Sequence, residues 1–203
     1  MEIIYFGHSC FRLEHEGYSL VIDPFQDVRG YADVRTVADM VLCSHDHFDH
    51  AAVSGVKYRA SGRQNPFGIT MMQTFHDDVY GQKRGKNLVH IITCCGKTLV
   101  HLGDLGHMLN EDQLKHIRCC DCLMIPVGGV YTIDSVQAWQ LIGEINPRIA
   151  IPMHYRNGKY GLDNIGVLAE FLTHSNRKIA VTAQETFTLP EESDLLLVPA
   201  VKE

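Results

Sequence analysis

The feature that most constrains this chain is the segment HDHFDH at positions 45–50. It follows the apolar run MVLC at positions 40–43, which predicts a short buried strand. Imidazole and carboxylate groups are the ligands that hold Zn²⁺ and similar divalent cations. A turn that leaves a buried strand can point several such side chains at one place. The segment therefore predicts a metal site, although a solvated turn rich in His and Asp is the plainer alternative.

Three later residues follow short apolar stretches of strand character. His76 comes after ITMMQTF, Asp104 after TLVHLG and His154 after IAIPM. Ligands that recur at strand ends favour one shared site. Plainer interpretations stay open for each: a surface histidine at His76 with Asp77 or Asp78 serving instead, a carboxylate bonded to backbone N–H groups at Asp104, and a buried structural histidine at His154.

The order of these residues resembles that of a known family. An HxHxDH segment followed by a His, an Asp and a last His resembles the metallo-β-lactamase superfamily of binuclear metallohydrolases. Further motifs over nearly the whole chain resemble the small branch that includes the L-ascorbate-6-phosphate lactonase. These motifs are GHSCF (7–11), IDP (22–24), HLGDLG (101–106), IPVGG (125–129), YTID (131–134) and IPMHY (151–155).

The resemblance implies an α/β fold of four layers, the αβ/βα sandwich. Two mixed sheets would pack face to face with helices outside, and metals would lie at one edge between the sheets. At 203 residues with 45% hydrophobic content, the chain can bury one sizeable core. We expect a single domain over residues 1–203, since no linker or internal repeat divides it.

The resemblance also implies a ligand set for two divalent cations. One cation would be held by three histidines and the other by an aspartate and two histidines, with one carboxylate as a bridge. A hydroxide shared by the cations would then attack the substrate. The implied ligands are His45, His47 and His76 for the first cation, Asp49, His50 and His154 for the second, and Asp104 as the bridge.

The resemblance also implies roles at the site other than metal binding. His8 and Asp49 are the candidate catalytic residues; for His8, a contact near the site and a structural hydrogen bond are both open. Asp23 is expected to orient a metal-binding histidine or to fix a turn. The candidate substrate contacts are Arg84, Gly129, Thr132 and Tyr155.

Composition limits the partners and the compartment. The formal charge of −6 weighs against nucleic acid as a partner. Neither a signal peptide nor an apolar run of about 20 residues is seen, so we expect a cytoplasmic protein without a membrane partner. The basic stretch QKRGK at 82–86 is either a solvated loop or a device that steers an anionic substrate. A homo-oligomer stays open.

The seven cysteines make a poor disulfide framework, because their number is odd and they include two vicinal pairs. Reduced, mostly buried thiols are expected. A separate zinc or redox site at Cys119 and Cys122 is the weaker alternative.

Hydrophobic periodicity predicts a strand-rich first half and alternating helices and strands in the second. Turns at Glu16-Gly17 and Gly96-Lys97 are expected to join two pairs of these strands as hairpins. Asp134 is expected to cap the second helix. The predicted strands are 2–6, 10–15, 18–23, 40–43, 69–75, 88–94, 98–102, 122–127, 148–153, 178–182 and 185–189, and the predicted helices are 110–117, 134–145 and 163–174.

The sequence thus predicts a binuclear hydrolase of a small ester, lactone or phosphoester. Zinc is the first choice of metal, manganese is compatible, and iron comes third. A nuclease or phosphodiesterase, a non-catalytic metal- or ligand-binding protein and an iron redox enzyme are the alternatives. Substrate choice cannot be transferred from a fold.

Overall fold

Within residues 1–60 and 62–202, which the computed structural model describes, strands dominate the first half and α-helices occur in the second. The first half contains β1 (Glu2–Gly7), β2 (Cys10–His15), β3 (Tyr18–Ile22), β4 (Thr36–Ala38), β5 (Met40–Leu42), β6 (Val56–Tyr58), β7 (Gly68–Phe75), β8 (Lys86–Cys94) and β9 (Lys97–His101). The second half contains α1 (Glu111–Lys115), β10 (Cys122–Pro126), α2 (Ser135–Ile145), β11 (Ile149–Met153), α3 (Leu168–Thr173), β12 (Lys178–Thr182), β13 (Thr186–Phe187) and β14 (Leu195–Pro199).

The amino-terminal strands build a five-stranded mixed sheet in the order β13-β1-β2-β3-β5. The predicted β2–β3 hairpin is present: Glu16 and Gly17 form its turn, with φ of 50° and 72°. Two successive positive φ angles match the right-handed twist of the paired strands. β3 runs parallel to β5, so Asp23 and Ser44, which follow these strands, lie side by side.

The second sheet has seven strands in the order β12-β14-β11-β10-β9-β8-β7. Its first five strands are parallel, and β8 and β7 add antiparallel pairs at one side. The parallel strands β10, β11 and β14 are buried along their whole length. This continuous burial is typical of strands covered on both faces.

The two sheets pack face to face over an apolar core. The inward side chains include Phe11 and Leu20 from the first sheet and Leu99, Met124 and Leu197 from the second. The three helices cover the opposite face of the seven-stranded sheet through a second cluster. The expected α/β sandwich is confirmed.

The outer face of the five-stranded sheet is covered differently. β4 and β6 form a two-stranded parallel ribbon there, next to a 3₁₀ turn at Val53–Gly55. Ala38 and Val56 of this ribbon join Phe25 and Val34 against the sheet. In the described part of the chain, the α-helices therefore lie on the side of the seven-stranded sheet only.

No helix among the described residues has the length and hydrophobicity needed to cross a bilayer.

Two of the described α-helices, α1 and α2, begin at a residue whose side chain caps them. Asp134 accepts the backbone N–H of Gln137 at 2.9 Å while Gln137 bonds back to Asp134, so the predicted cap of α2 is confirmed as a capping box. Asn110 caps α1 in the same way.

The predicted start of one helix was wrong, and three strands, β4, β6 and β14, were not predicted. The helix expected from residue 163 begins only at Leu168, because the Gly166 N–H bonds to the Gly128 carbonyl at 2.6 Å and draws this segment to another loop. The strand β14 was not predicted, although it lies between β12 and β11. A fully apolar strand buried on both faces has no alternating pattern by which to recognise it.

Candidate metal centre

The predicted ligands lie at one edge of the sandwich because of strand direction. β7, β9 and β11 run the same way, and His76, Asp104 and His154 follow their carboxyl ends. The segment 45–50 follows β5 of the facing sheet. Residues just beyond the carboxyl ends of parallel strands meet in one crevice, and here both sheets contribute to it.

The structure brings these side chains together in two groups. In the first group, His45, His47 and His76 each offer a ring nitrogen, and these atoms lie within 4.8 Å of one another. The second group contains Asp49, His50, His154 and also His8. The ligand atoms of these four residues likewise lie within 4.8 Å of one another. The first group offers three nitrogen donors, and the second adds a carboxylate; divalent transition metals accept both kinds of donor.

Asp104 lies between the two groups. Its Oδ2 is 3.4 Å from His76 Nε2 in the first group and 3.2 Å from His154 Nε2 in the second. Its Oδ1 is 3.2 Å from His50 Nε2. The preceding Gly103 has φ of 56°, and a Cβ there would come within 2.5 Å of Ser44 Cβ, so glycine lets the chain pass close to Ser44 on its way to Asp104.

A buried carboxylate fixes the rings of two of these histidines. Asp23 Oδ2 accepts from His50 Nδ1 at 2.8 Å and from the Ser44 hydroxyl at 2.7 Å. The Ser44 oxygen is 2.9 Å from His45 Nδ1, and since its proton goes to Asp23 it accepts from that ring. Both histidines therefore point Nε2 towards Asp104, and the expected orienting role of Asp23 matches this geometry.

His76 is held in the same way by the backbone. Its Nδ1 lies 3.0 Å from the Tyr131 carbonyl oxygen, which leaves Nε2 for the centre. Asp77 does not compete for the site, because its two oxygens accept the backbone N–H groups of four residues in the following loop. Asp78 is exposed and bonds to Lys83.

Several buried atoms at the centre have no hydrogen-bond partner. They are His45 Nε2, His50 Nε2, His154 Nε2 and Asp104 Oδ1. An unsatisfied buried polar atom costs about 1–3 kcal/mol, so their convergence needs an explanation. Divalent cations shared by these atoms would satisfy all of them, and the residues present therefore fit such cations.

The electrostatics of the centre suit metal ligands. Burial lowers the pKa of His45 to about 3 and that of His8 to about 4, so both rings are neutral. Burial alone would raise the pKa of Asp104, but the imidazoles of His154 and His50 hold it well below its usual range. Neutral imidazoles and ionised carboxylates are the forms that bind metal.

His50 differs from the other histidines. Burial would lower its pKa, but Asp104 and Asp23 outweigh burial and raise the pKa well above the ordinary value. The two carboxylates therefore favour the protonated ring, and a cation bound at Nε2 would take the place of that proton.

A cavity of about 500 Å³ opens beside the centre. Arg84 is half-buried in its wall, with its guanidinium carbon 5.5 Å from the centroid of the Tyr131 ring. A cation over an aromatic face is a favourable contact that also limits where the side chain can go. The lining residues are His47, Phe48, Asp49, His76, Arg84, Asp104, Tyr131, Leu162, Asp163 and Asn164.

The proposed substrate contacts occupy different positions relative to this cavity. Arg84 lines it, whereas Gly129, Thr132 and Tyr155 are not among its lining residues. Thr132 donates to the Ile133 carbonyl, and Tyr155 is buried in the core. Sequence reasoning missed the 162–164 segment of the wall, since no local motif marks it.

His8 lies against the second group. Its Nε2 is 3.2 Å from Asp49 Oδ2, and its ring centroid is 4.3 Å from that of His154. The backbone at His8 has φ of 52°, an uncommon conformation for a residue with a side chain. The tight β1–β2 connection thus brings this imidazole to Asp49.

An αβ sandwich with His and Asp ligands gathered at one edge is typical of a metal-dependent hydrolase. Comparison with known proteins gives the same class. The family model for the β-lactamase superfamily domain matches residues 2–154, a span that contains every proposed ligand. A UPF0173 metal-dependent hydrolase of Carboxydothermus hydrogenoformans is 30% identical over 76% of this chain and 84% of its own. The UPF0173 protein of Pyrococcus abyssi is 28% identical over 79% and 85%.

A solved structure supports the same family over nearly the whole chain. The crystal structure of a candidate Zn-dependent hydrolase of the metallo-β-lactamase superfamily from Thermotoga maritima has a TM-score of 0.72 and 30% identity, and covers 98% of each chain. This chain belongs to the metal-dependent hydrolases of the metallo-β-lactamase superfamily, as its motifs predict. The resemblance to the lactonase branch stays a prediction.

Proposed function

We propose that the chain is a binuclear hydrolase that cleaves a small ester, lactone or phosphoester. The observation that carries this proposal is the position of Asp104 between two groups of ligand atoms. A closed structural site needs about four ligands and no neighbouring cavity. Here a second set of ligands and an open cavity favour catalysis over a purely structural or binding role.

The ligand assignment is part of the proposal. Two divalent cations held at this edge would lower the pKa of bound water towards neutrality and polarise the substrate's carbonyl or phosphoryl oxygen. Zinc is the first candidate, manganese is compatible with the mixed ligands, and iron is third. The proposed sets are His45, His47 and His76; Asp49, His50 and His154; and Asp104 shared by both.

The protein's other contribution is to hold these side chains still. Asp23 orients His50 directly and His45 through Ser44. His8 approaches Asp49 from the side of the second group, where it acts as a positioning residue. Bonds of this kind set the tautomer and orientation of metal-binding histidines.

We further propose that the substrate is a small anion. Arg84 brings a cation to the cavity wall, and Asn164 donates to the Tyr131 hydroxyl at 2.6 Å on the same side. A guanidinium recognises carboxylate or phosphate groups through paired hydrogen bonds. The net charge of −6 disfavours a long polyanion such as RNA, so a nucleic-acid substrate is not expected.

Metal-dependent turnover tests the proposed function. Protein stripped with a chelator and reloaded with Zn²⁺ or Mn²⁺ is assayed on lactones, carboxylic esters and phosphate esters. We expect activity only after reloading, its loss in Asp104→Ala, and full activity in the control His116→Ala, which alters a helix end outside the cavity. Turnover without metal, or turnover retained in Asp104→Ala, would refute the proposal.

The anionic substrate has a separate test. Arg84→Ala should raise KM for an anionic substrate about 10- to 100-fold, the effect of losing one hydrogen bond to a charged group, and should leave a neutral analogue unaffected. Lys83→Ala is the matched control, because Lys83 lies in the same loop, pairs with Asp78 and does not line the cavity. An equal change for both variants would contradict a specific role for Arg84.

A further inference from the structure

A second cluster of metal-ligating side chains lies at the opposite end of the sandwich. β2 runs antiparallel to β3 and β8 antiparallel to β9, so the ends of β2 and β8 are turned away from the metal centre. His15 is the last residue of β2, and Cys94 is the last of β8. Nine residues of β8 span about 27 Å, which separates this cluster from His76.

The cluster joins two turns from different sheets. His15 precedes the β2–β3 turn, and Cys95 lies in the β8–β9 turn with φ of 53°. His15 Nε2 is 3.0 Å from Cys95 Sγ although the residues are 80 positions apart in sequence. Cys94 Sγ is 3.4 Å from Cys95 Sγ. The three ligand atoms all lie within 4.8 Å of one another.

From this arrangement we infer a further metal site, separate from the proposed binuclear centre. In it, Cys94, Cys95 and His15 bind a thiophilic divalent cation such as Zn²⁺. Thiolate and imidazole are the donors that select zinc and similar soft or borderline metals. Zn–S bonds of about 2.3 Å place two tetrahedral sulfur ligands about 3.8 Å apart, so the two thiols need to separate only slightly.

The surroundings allow a cation to enter and complete its coordination. Cys95 is exposed and His15 half-buried, so the site opens to solvent. The Glu16 carboxylate lies 3.7 Å from His15 Nε2 and can approach, or water can take the fourth position. Burial and then the bond with Cys95 raise the pKa of the Cys94 thiol to about 11, so binding would release a proton.

The site would work as a clamp. One cation would tie the turn of the first sheet to the turn of the second, at the end of the sandwich that the catalytic ligands do not reach. Its donors differ from those of the metal centre, whose proposed ligands are histidines and aspartates. This difference in chemistry makes the two sites separable by spectroscopy.

Cobalt substitution tests the inference. The reduced, metal-free protein is titrated with Co²⁺, and the thiolate-to-cobalt charge-transfer absorbance in the near ultraviolet is followed. We expect this band to report one thiolate-bound Co²⁺ per chain and to saturate by about three added Co²⁺ per chain, since the proposed centre takes up about two. The band should be lost in both Cys95→Ser and His15→Ala. Competition with Zn²⁺ should bleach it in the wild type.

The matched control is Cys119→Ser, which removes an exposed cysteine outside this cluster. It should keep the full band, and circular dichroism should show that every variant is folded. Absence of the band from the wild type, or its persistence in Cys95→Ser, would overturn the inference. Neither result depends on hydrolytic activity, so failure here leaves the proposed function standing.

Discussion

At the scale of single residues, one buried carboxylate organises much of the proposed centre. Asp23 has no exposed surface and bonds to the Ser44 backbone N–H, the Ser44 hydroxyl and the His50 ring. Burial alone would raise its pKa, but the facing imidazole of His50 outweighs burial and lowers it. Asp23 is therefore ionised, and its charge keeps two histidine rings oriented.

We predict that Asp23→Asn weakens metal binding about 10- to 100-fold, the usual cost of losing such an orienting group. The amide keeps the shape of the side chain but has one acceptor oxygen instead of two. It therefore cannot accept from the Ser44 N–H on one side and from the His50 ring and the Ser44 hydroxyl on the other. Isothermal titration with Zn²⁺ measures the change. The control Asp33→Asn alters a surface carboxylate that bonds to the Asp27 N–H and to Arg35; equal affinities of the two variants would contradict the orienting role.

A buried phenol gives a prediction about pH. Tyr5 donates to the His8 carbonyl at 3.0 Å, and burial, with the neighbouring Tyr155, raises its pKa well above the ordinary value. The folded state therefore keeps the neutral phenol, and its stabilising contribution is complete below about pH 10. As the pH rises further, only the unfolded state ionises and this contribution is lost.

Tyr5→Phe should accordingly cost about 1 kcal/mol at pH 8, and this deficit should shrink as the pH passes about 10. Urea unfolding at a series of pH values measures it. The exposed Tyr58 provides the control Tyr58→Phe, for which we expect no such trend. A deficit that is the same at every pH would argue against a neutral, buried Tyr5.

At the scale of elements, some strands and helices follow from local sequence patterns, and others depend on tertiary contacts. Alternating strands joined by glycine turns predicted the β2–β3 and β8–β9 hairpins. The strand β14 was not predicted because its buried apolar run lacks the alternation of apolar and polar residues that marks a half-exposed strand. The first turns expected of α3 fail because the Gly166 N–H bonds to the Gly128 carbonyl, a contact between distant parts of the chain that sequence alone does not show.

The candidate site was also predictable only in part. The order of the ligands could be predicted because each ligand lies in a short motif next to a strand. The cavity wall could not, because Leu162, Asp163 and Asn164 come from a loop that the Gly166–Gly128 hydrogen bond draws towards the centre. Arg84 was indicated by its basic loop, whereas its position over Tyr131 depends on the fold.

The complete burial of β14 has a measurable consequence. Leu196 is fully buried between the seven-stranded sheet and the helices, so Leu196→Ala should lower the free energy of unfolding by about 2–5 kcal/mol. Val181→Ala on the neighbouring β12 is the control, because Val181 is 74% exposed; we expect a change of at most about 0.5 kcal/mol. Equal losses in urea denaturation would mean that β14 is not a core strand.

At the scale of the whole molecule, the two sheets meet along an edge that carries the proposed hydrolytic centre. The first sheet supplies Asp23 and the 45–50 segment, and the second supplies His76, Asp104 and His154. Neither sheet alone holds a complete ligand set. Metal binding is therefore expected to stabilise the packing of one sheet on the other, by a free energy that grows with the logarithm of the free metal concentration divided by Kd.

The most direct test of this account is the number of metal ions per chain. It is measured by plasma mass spectrometry on protein purified without a chelator or a histidine tag, and in a Cys95→Ser background so that the inferred thiolate site does not contribute. We predict about two divalent ions per chain, with loss of metal when Asp104→Ala is added. A single ion whose binding is indifferent to Asp104→Ala would contradict the binuclear centre.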